Sequence, residues 1–151
     1  MKIILTEEQV NNLTNQLLKE GWAFNEATYE KLKDHIYDLY LDMKDLAKRH
    51  GNFVSIKLGQ PVGSVLSINI KTEPKMSEEE NQNAKDAVHN EAKKLVGEWG
   101  KRKLEGGKFE VGPFLKSPQG GEYADIYWLD EKTSKKVGLD KGQTNNLIAS
   151  K

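Results

Sequence analysis

One stretch of the sequence, Glu26–His50, constrains the fold more than any other, because it predicts a long helix that is apolar on more than one side. Its apolar residues recur at alternating spacings of four and three, which at about 100° per residue forms one core-facing seam. Tyr37, Tyr40 and Leu41 project away from that seam, so we expect another element of the domain or a protein partner to cover them. The seam itself consists of Leu32, Ile36, Leu39, Met43 and Leu46.

Two further helices are predicted from their start signals. Thr6 and Gln9 form a capping box, which predicts a helix over about residues 7–20. Ser77 and Glu80 form a second capping box, which predicts a helix over about residues 78–104. The sequence therefore predicts three helices in its first two-thirds.

The segments between and after these helices predict strands. Residues 54–58 and 66–70 alternate between apolar and polar side chains on either side of a turn-rich loop, which is typical of a hairpin. A second strand pair is expected at 109–111 and 123–129, followed by a short strand near 135–137. Residues 138–151 are polar and are expected to form a loosely held tail.

A helix followed by a hairpin thus occurs twice, which hints at an internal duplication. Short loops between strands favour antiparallel pairing. We therefore predict an α+β fold, with three helices packed on a mainly antiparallel sheet of four or five strands. Residues 1–137 would form a single domain, and residues 138–151 the polar tail.

Charge and cysteine content exclude several classes of function. The 23 basic and 23 acidic residues cancel, so no whole-protein field favours nucleic acid or an anionic membrane. The absence of cysteine excludes disulfides, thiolate metal sites and cysteine nucleophiles. The apolar run at the start is too short for a signal peptide, and no stretch approaches a membrane span. We expect a soluble, cytoplasmic protein.

Acidic side chains line the long helix opposite its apolar seam. With His35, the carboxylates of Asp38 and Asp42 could serve a metal-dependent hydrolase, which is our alternative hypothesis. A solvated helix face explains the same pattern more simply, so we predict no metal site and no cofactor. The full stripe comprises Glu30, Asp34, Asp38, Asp42 and Asp45.

A basic window near the end of the third predicted helix suggests a second alternative, weak binding of single-stranded nucleic acid. In this hypothesis the cations hold phosphates while Trp99 stacks on a base. Positive charge at the end of a helix also suits the helix dipole, which is the interpretation we favour. The residues concerned are Lys93, Lys94, Trp99, Lys101, Arg102 and Lys103.

Aromatic residues concentrate in the last strands, where Tyr123 and Tyr127 flank Asp125 on one face of the predicted strand. Such a composition is typical of protein contacts. Our leading hypothesis is therefore a non-enzymatic protein-interaction or assembly module, which binds a protein partner or a second copy of itself. Its contact residues would be Tyr37, Tyr40, Leu41, Tyr123 and Tyr127.

The first nine residues, MKIILTEEQ, resemble the starts of small phage-encoded proteins. The resemblance covers only this short segment. It implies a virion component or a host-interaction factor as one setting for such a module.

Overall fold

The computed structural model describes residues 23–60, 63–101, 104–118 and 120–150. They form an α+β fold of three helices and a five-stranded, mostly antiparallel sheet, which confirms the predicted fold class. The elements in chain order are α1 (Glu26–His50), β1 (Val54–Leu58), β2 (Leu66–Ile70), α2 (Glu78–Gly100), β3 (Gly107–Lys116), β4 (Glu122–Asp130), β5 (Lys136–Val137) and α3 (Lys141–Ala149).

The sheet has the strand order β1-β2-β4-β3, and all of these pairings are antiparallel. β5 pairs with the last residues of β4, and Ala23 forms a parallel bridge with Gly138 next to it. The helix–hairpin order predicted from the sequence is present twice, as α1-β1-β2 and α2-β3-β4. The two hairpins meet through β2 and β4 at the centre of the sheet.

The long helix α1 begins and ends where the sequence predicts. The side chain of Asn25 accepts a hydrogen bond of 2.8 Å from the backbone N–H of Thr28, and so caps the first turn. Gly51 ends the helix with a φ of +117°, which a residue with a side chain rarely adopts. All five seam residues are buried.

Both long helices cover one face of the sheet. The capping box of Ser77 and Glu80 forms as predicted, and α2 ends at Gly100, a few residues before the predicted end. Its Trp99 packs edge-on against Phe109 of β3, which in turn packs against Trp128 of β4 with ring centroids 5.1 Å apart. This aromatic stack joins α2 to the centre of the sheet.

The predicted loose tail is wrong for residues 141–149, which form α3. Asp140 and Gln143 make a capping box, and Leu147 is fully buried. Gln143 also donates a 2.6 Å hydrogen bond from its side chain to the backbone oxygen of Phe24, which ties α3 to the residues before α1. The prediction rested on the polar composition of the segment, whereas the helix is held by its cap, by the buried Leu147 and by the buried Gln143.

Two other predicted elements differ in extent. β3 is longer than expected and continues past Pro113 through an irregularity in its pairing between Val111 and Phe114. The helix predicted at 7–20 lies outside the described residues. No helix in the described part of the chain has the length and apolar content needed to cross a bilayer.

Candidate protein-interaction surface

The two faces of the sheet differ in what covers them. Along β4, Ala124, Ile126 and Trp128 are buried beneath α1 and α2, as the alternation in the sequence predicted. The intervening residues lie on the opposite side, which we call the outer face. The outer face carries Lys57 of β1, Ser67 and Asn69 of β2, Lys108, Glu110 and Leu115 of β3, Tyr123, Asp125, Tyr127 and Leu129 of β4, and Lys136 of β5.

Asp125 lies at the centre of the outer face, directly across from Ser67. Its Oδ1 atom is buried and has no hydrogen-bond partner in the described part of the structure. Burial raises the pKa of this carboxyl to about 6, although the nearby Lys136 ammonium acts in the opposite direction. A buried acceptor without a donor is uncommon in folded proteins, so this carboxylate is the most unusual group of the surface.

Tyr127 is held in place on the same face by its neighbours. Its hydroxyl donates a hydrogen bond of 3.1 Å to Oε2 of Glu110, directly opposite on β3. The ammonium of Lys136 lies 4.7 Å from the centre of its ring. Burial raises the pKa of the Tyr127 hydroxyl, and the bond to Glu110 raises it further. The ring is therefore preorganised and costs little entropy to bury further.

An apolar patch extends from Tyr123 towards the end of β3. Leu115 lies opposite Tyr123 and is 47% exposed, one of three large apolar residues in the described structure with such exposure. Leu115 was missed in the sequence, because the irregularity after Val111 shifts the pairing and so determines which residues of β3 face outward. Counting alternate residues on one strand could not have revealed that shift.

The second predicted contact surface lies on α1. Tyr37 and Tyr40 are partly buried against the core, with ring centroids 6.1 Å apart, and Lys44 lies 5.2 Å from the ring centre of Tyr40. Leu41 is 42% exposed. The two tyrosines are therefore partly covered within the chain, and Leu41 is the exposed residue of the three.

The residues of the hydrolase hypothesis are each placed differently. The ring of His35 is half-buried and packs edge-on against Trp99. Asp42 accepts a hydrogen bond of 3.2 Å from the indole N–H of Trp99, whereas Asp38 is exposed. Among the described residues, no group of three or more acidic, histidine or cysteine side chains could hold a metal ion.

The basic window does not present its aromatic residue. Trp99 is buried, so its ring is not on the surface that the lysines of this window share. Lys93 and Lys94 are exposed on α2, and Lys101 is exposed directly after its end. Arg102 and Lys103 lie outside the described residues. The described part of the window therefore exposes three lysine side chains and no aromatic ring.

The outer face is thus the best-defined candidate surface, with an unpartnered carboxylate oxygen on Asp125 between Tyr123 and the fixed Tyr127, and with the exposed Leu115 at its margin. Comparison with protein-family models, with curated proteins and with solved structures finds no match for this chain.

Proposed function

We propose that this chain is a non-enzymatic protein-interaction module that binds a protein partner through the outer face of its sheet. The observation that carries the proposal is the buried, unpartnered Oδ1 of Asp125, which lies between Tyr123 and Tyr127. An ionised carboxylate in this position lacks the donor that would offset its desolvation. A partner that inserts a lysine, arginine or amide donor there would supply it.

The surroundings of Asp125 support an anchoring role. Tyrosine is enriched at the energetic centres of protein interfaces, because its ring adds contact area with few rotatable bonds. Tyr127 is already fixed by Glu110 and Lys136, so its ordering costs are met before binding. Leu115 provides an exposed apolar contact at the edge of the same surface. A virion or host-interaction setting, which the first nine residues suggest, suits such a module.

Selection of binding peptides from a displayed random library, against the immobilised full chain, tests the proposal. We expect the selected peptides to share a cationic or amide residue next to apolar residues. Their affinity should fall about tenfold or more for a Leu115→Ser, Asp125→Ala double variant, since each residue would contribute an interface contact. Ile148→Ser is the matched control, because Ile148 is also exposed but lies on α3.

Two results would contradict the proposal. One is a selection that yields no convergent binder. The other is a set of binders whose affinity is the same for wild type and for the Leu115, Asp125 double variant, provided that circular dichroism shows both proteins to be folded.

The hydrolase and nucleic-acid hypotheses remain predictions with their own tests. The first requires a stoichiometric metal bound through His35, and the second requires an affinity that falls steeply with salt. Neither depends on the outer face, so the Leu115, Asp125 double variant would leave both unchanged.

A further inference from the structure

A groove runs along the β3 edge of the sheet, between α2 and β3. Its volume is about 410 Å³, and Lys93, Val96 and Gly97 of α2 form its wall above residues 108–111 of β3. The space beside Gly97 is open, because a Cβ atom built there would meet nothing within 4 Å. The groove is therefore open to a segment that approaches the edge of β3.

The backbone of β3 presents hydrogen-bonding groups towards this groove. Residues of an antiparallel pair alternate between those bonded to the neighbouring strand and those that point away from it. The backbone N–H of Glu131 donates to the oxygen of Gly106, which makes that position a bonded pair and fixes the alternation along β3. Gly107, Phe109 and Val111 therefore direct their N–H and C=O groups outward at the edge.

We propose that a second copy of this chain pairs with the β3 edge, antiparallel and about a two-fold axis at Phe109. In that register, Phe109 lies opposite the partner's Phe109, and Gly107 lies opposite the partner's Val111. The outward backbone groups of both strands then bond each other, so the two sheets become continuous. The open groove of each copy receives the edge of the other.

Charge complementarity favours a second copy as the occupant. Lys108 and Glu110 both lie on the outer face and pair with each other at 3.2 Å within the chain. The two-fold register at Phe109 sets Lys108 opposite the partner's Glu110 and Glu110 opposite the partner's Lys108. Opposite charges directly across an antiparallel pair are stabilising, and this register provides two such pairs. The net charge of zero adds no repulsion between copies.

The structure also limits the pairing to a short stretch. The irregularity after Val111 and the missing N–H of Pro113 end the usable edge there. At this point the ring nitrogen Nε2 of His89 lies 3.0 Å from the oxygen of Gly112. The opposite edge of the sheet, β1, lacks the same complementarity, because a two-fold axis at Ile56 sets Ser55 opposite Lys57.

This inference rests on the proposed function only in treating the chain as an interaction module, and it uses the β3 edge in place of the central outer face. The test compares Lys108→Glu and Glu110→Lys, alone and mixed, by light scattering across a range of concentrations. Wild type should approach twice the chain mass, and each variant alone should associate about tenfold or more weakly, because like charges then face each other. An equimolar mixture of the two variants should recover the dimer, since all-acidic edges then meet all-basic edges.

Lys57→Glu is the matched control, because it makes the same charge change on the β1 edge and should leave the mass unchanged. A second readout uses the absence of native cysteine. Under mild oxidation, a mixture of Lys108→Cys and Glu110→Cys should form a covalent dimer, while each alone should not, since only residues 108 and 110 of different copies lie opposite each other.

A wild type that stays monomeric, or a mixture that fails to recover the dimer or the cross-link, would overturn the inference. Because Glu110 also accepts the hydrogen bond of Tyr127, peptide binding is measured on the Leu115, Asp125 double variant and not on Glu110→Lys. A failed edge proposal and a failed interaction module are then distinguishable.

Discussion

The indole N–H of Trp99 donates a hydrogen bond to the carboxylate of Asp42, 3.2 Å away, and so connects the two long helices. These residues belong to two different functional hypotheses from the sequence, a hydrolase and a nucleic-acid site. In the structure they are partners of each other, and His35 packs edge-on against the same indole. The simplest use of Asp42 is to satisfy a buried donor on α2.

Replacing Asp42 by alanine should therefore destabilise the fold. Loss of the acceptor removes the hydrogen bond between the indole N–H of Trp99 and the Asp42 carboxylate. A hydrogen bond to a charged group contributes about 1.5–3 kcal/mol of unfolding free energy. Asp42→Asn keeps an acceptor oxygen and should lose less. Urea denaturation followed by tryptophan fluorescence measures both changes.

Asp38→Ala is the matched control for this prediction. Asp38 is an exposed aspartate on the same helix, so the gain in helix propensity from alanine is the same at both positions. Equal stabilities of Asp38→Ala and Asp42→Ala would show that the hydrogen bond to Trp99 contributes nothing.

The helix ends that the sequence predicted well are those determined by residues close to them in the sequence. The caps at Asn25 and Ser77 and the stop at Gly51 all act within one helical turn, so α1 is confirmed at both ends and α2 at its start. The capping signature of α3, Asp140 followed by Gln143, is of the same local kind, but the prediction of a loose tail rested on polar composition and did not use it. A local start signal was the more reliable guide there.

The properties of the candidate site depend on distant parts of the chain and could only partly be predicted. Alternation along β4 correctly set Tyr123, Asp125 and Tyr127 on one face. The neighbour that lies across from Asp125 on β2, Ser67, is known only from the pairing of the strands. The bond between Asp42 and Trp99 likewise spans 57 positions. Such pairings follow from strand order and helix packing, which one sequence does not reveal.

Two adjacent residues of α3 should respond very differently to truncation. Leu147 is fully buried, whereas Ile148 is 58% exposed. Leu147→Ala should cost about 2–5 kcal/mol of unfolding free energy because it leaves a cavity, while Ile148→Ala should change it by less than about 0.5 kcal/mol. Thermal or chemical denaturation of the two variants measures the difference, and near-neutral effects at both positions would mean that residues 141–149 form a loose tail after all.

The pKa of Asp125, which burial raises to about 6, should make stability depend on pH with a definite sign. Between about pH 4 and pH 6 the folded state binds more protons than the unfolded state, so stability falls as pH rises through this range. Above pH 6 the ionised carboxylate leaves a constant penalty, which we place at about 1–2 kcal/mol after allowance for solvent screening.

Asp125→Asn removes this titration and so isolates it. The unfolding free energy of the variant relative to wild type should therefore increase by about 1–2 kcal/mol between about pH 4 and pH 7.5. Asp38→Asn, at an exposed position, is the matched control, and urea titrations at both pH values measure the two differences. A carboxylate that a partner pairs at this position would lose its penalty only in the complex, so we also expect peptides selected against the outer face to bind more weakly as pH falls below 6. If the difference in unfolding free energy between Asp125→Asn and wild type does not change with pH, the carboxylate is solvated or already paired. That result would remove the main support for a site on this face that binds a hydrogen-bond donor of a partner.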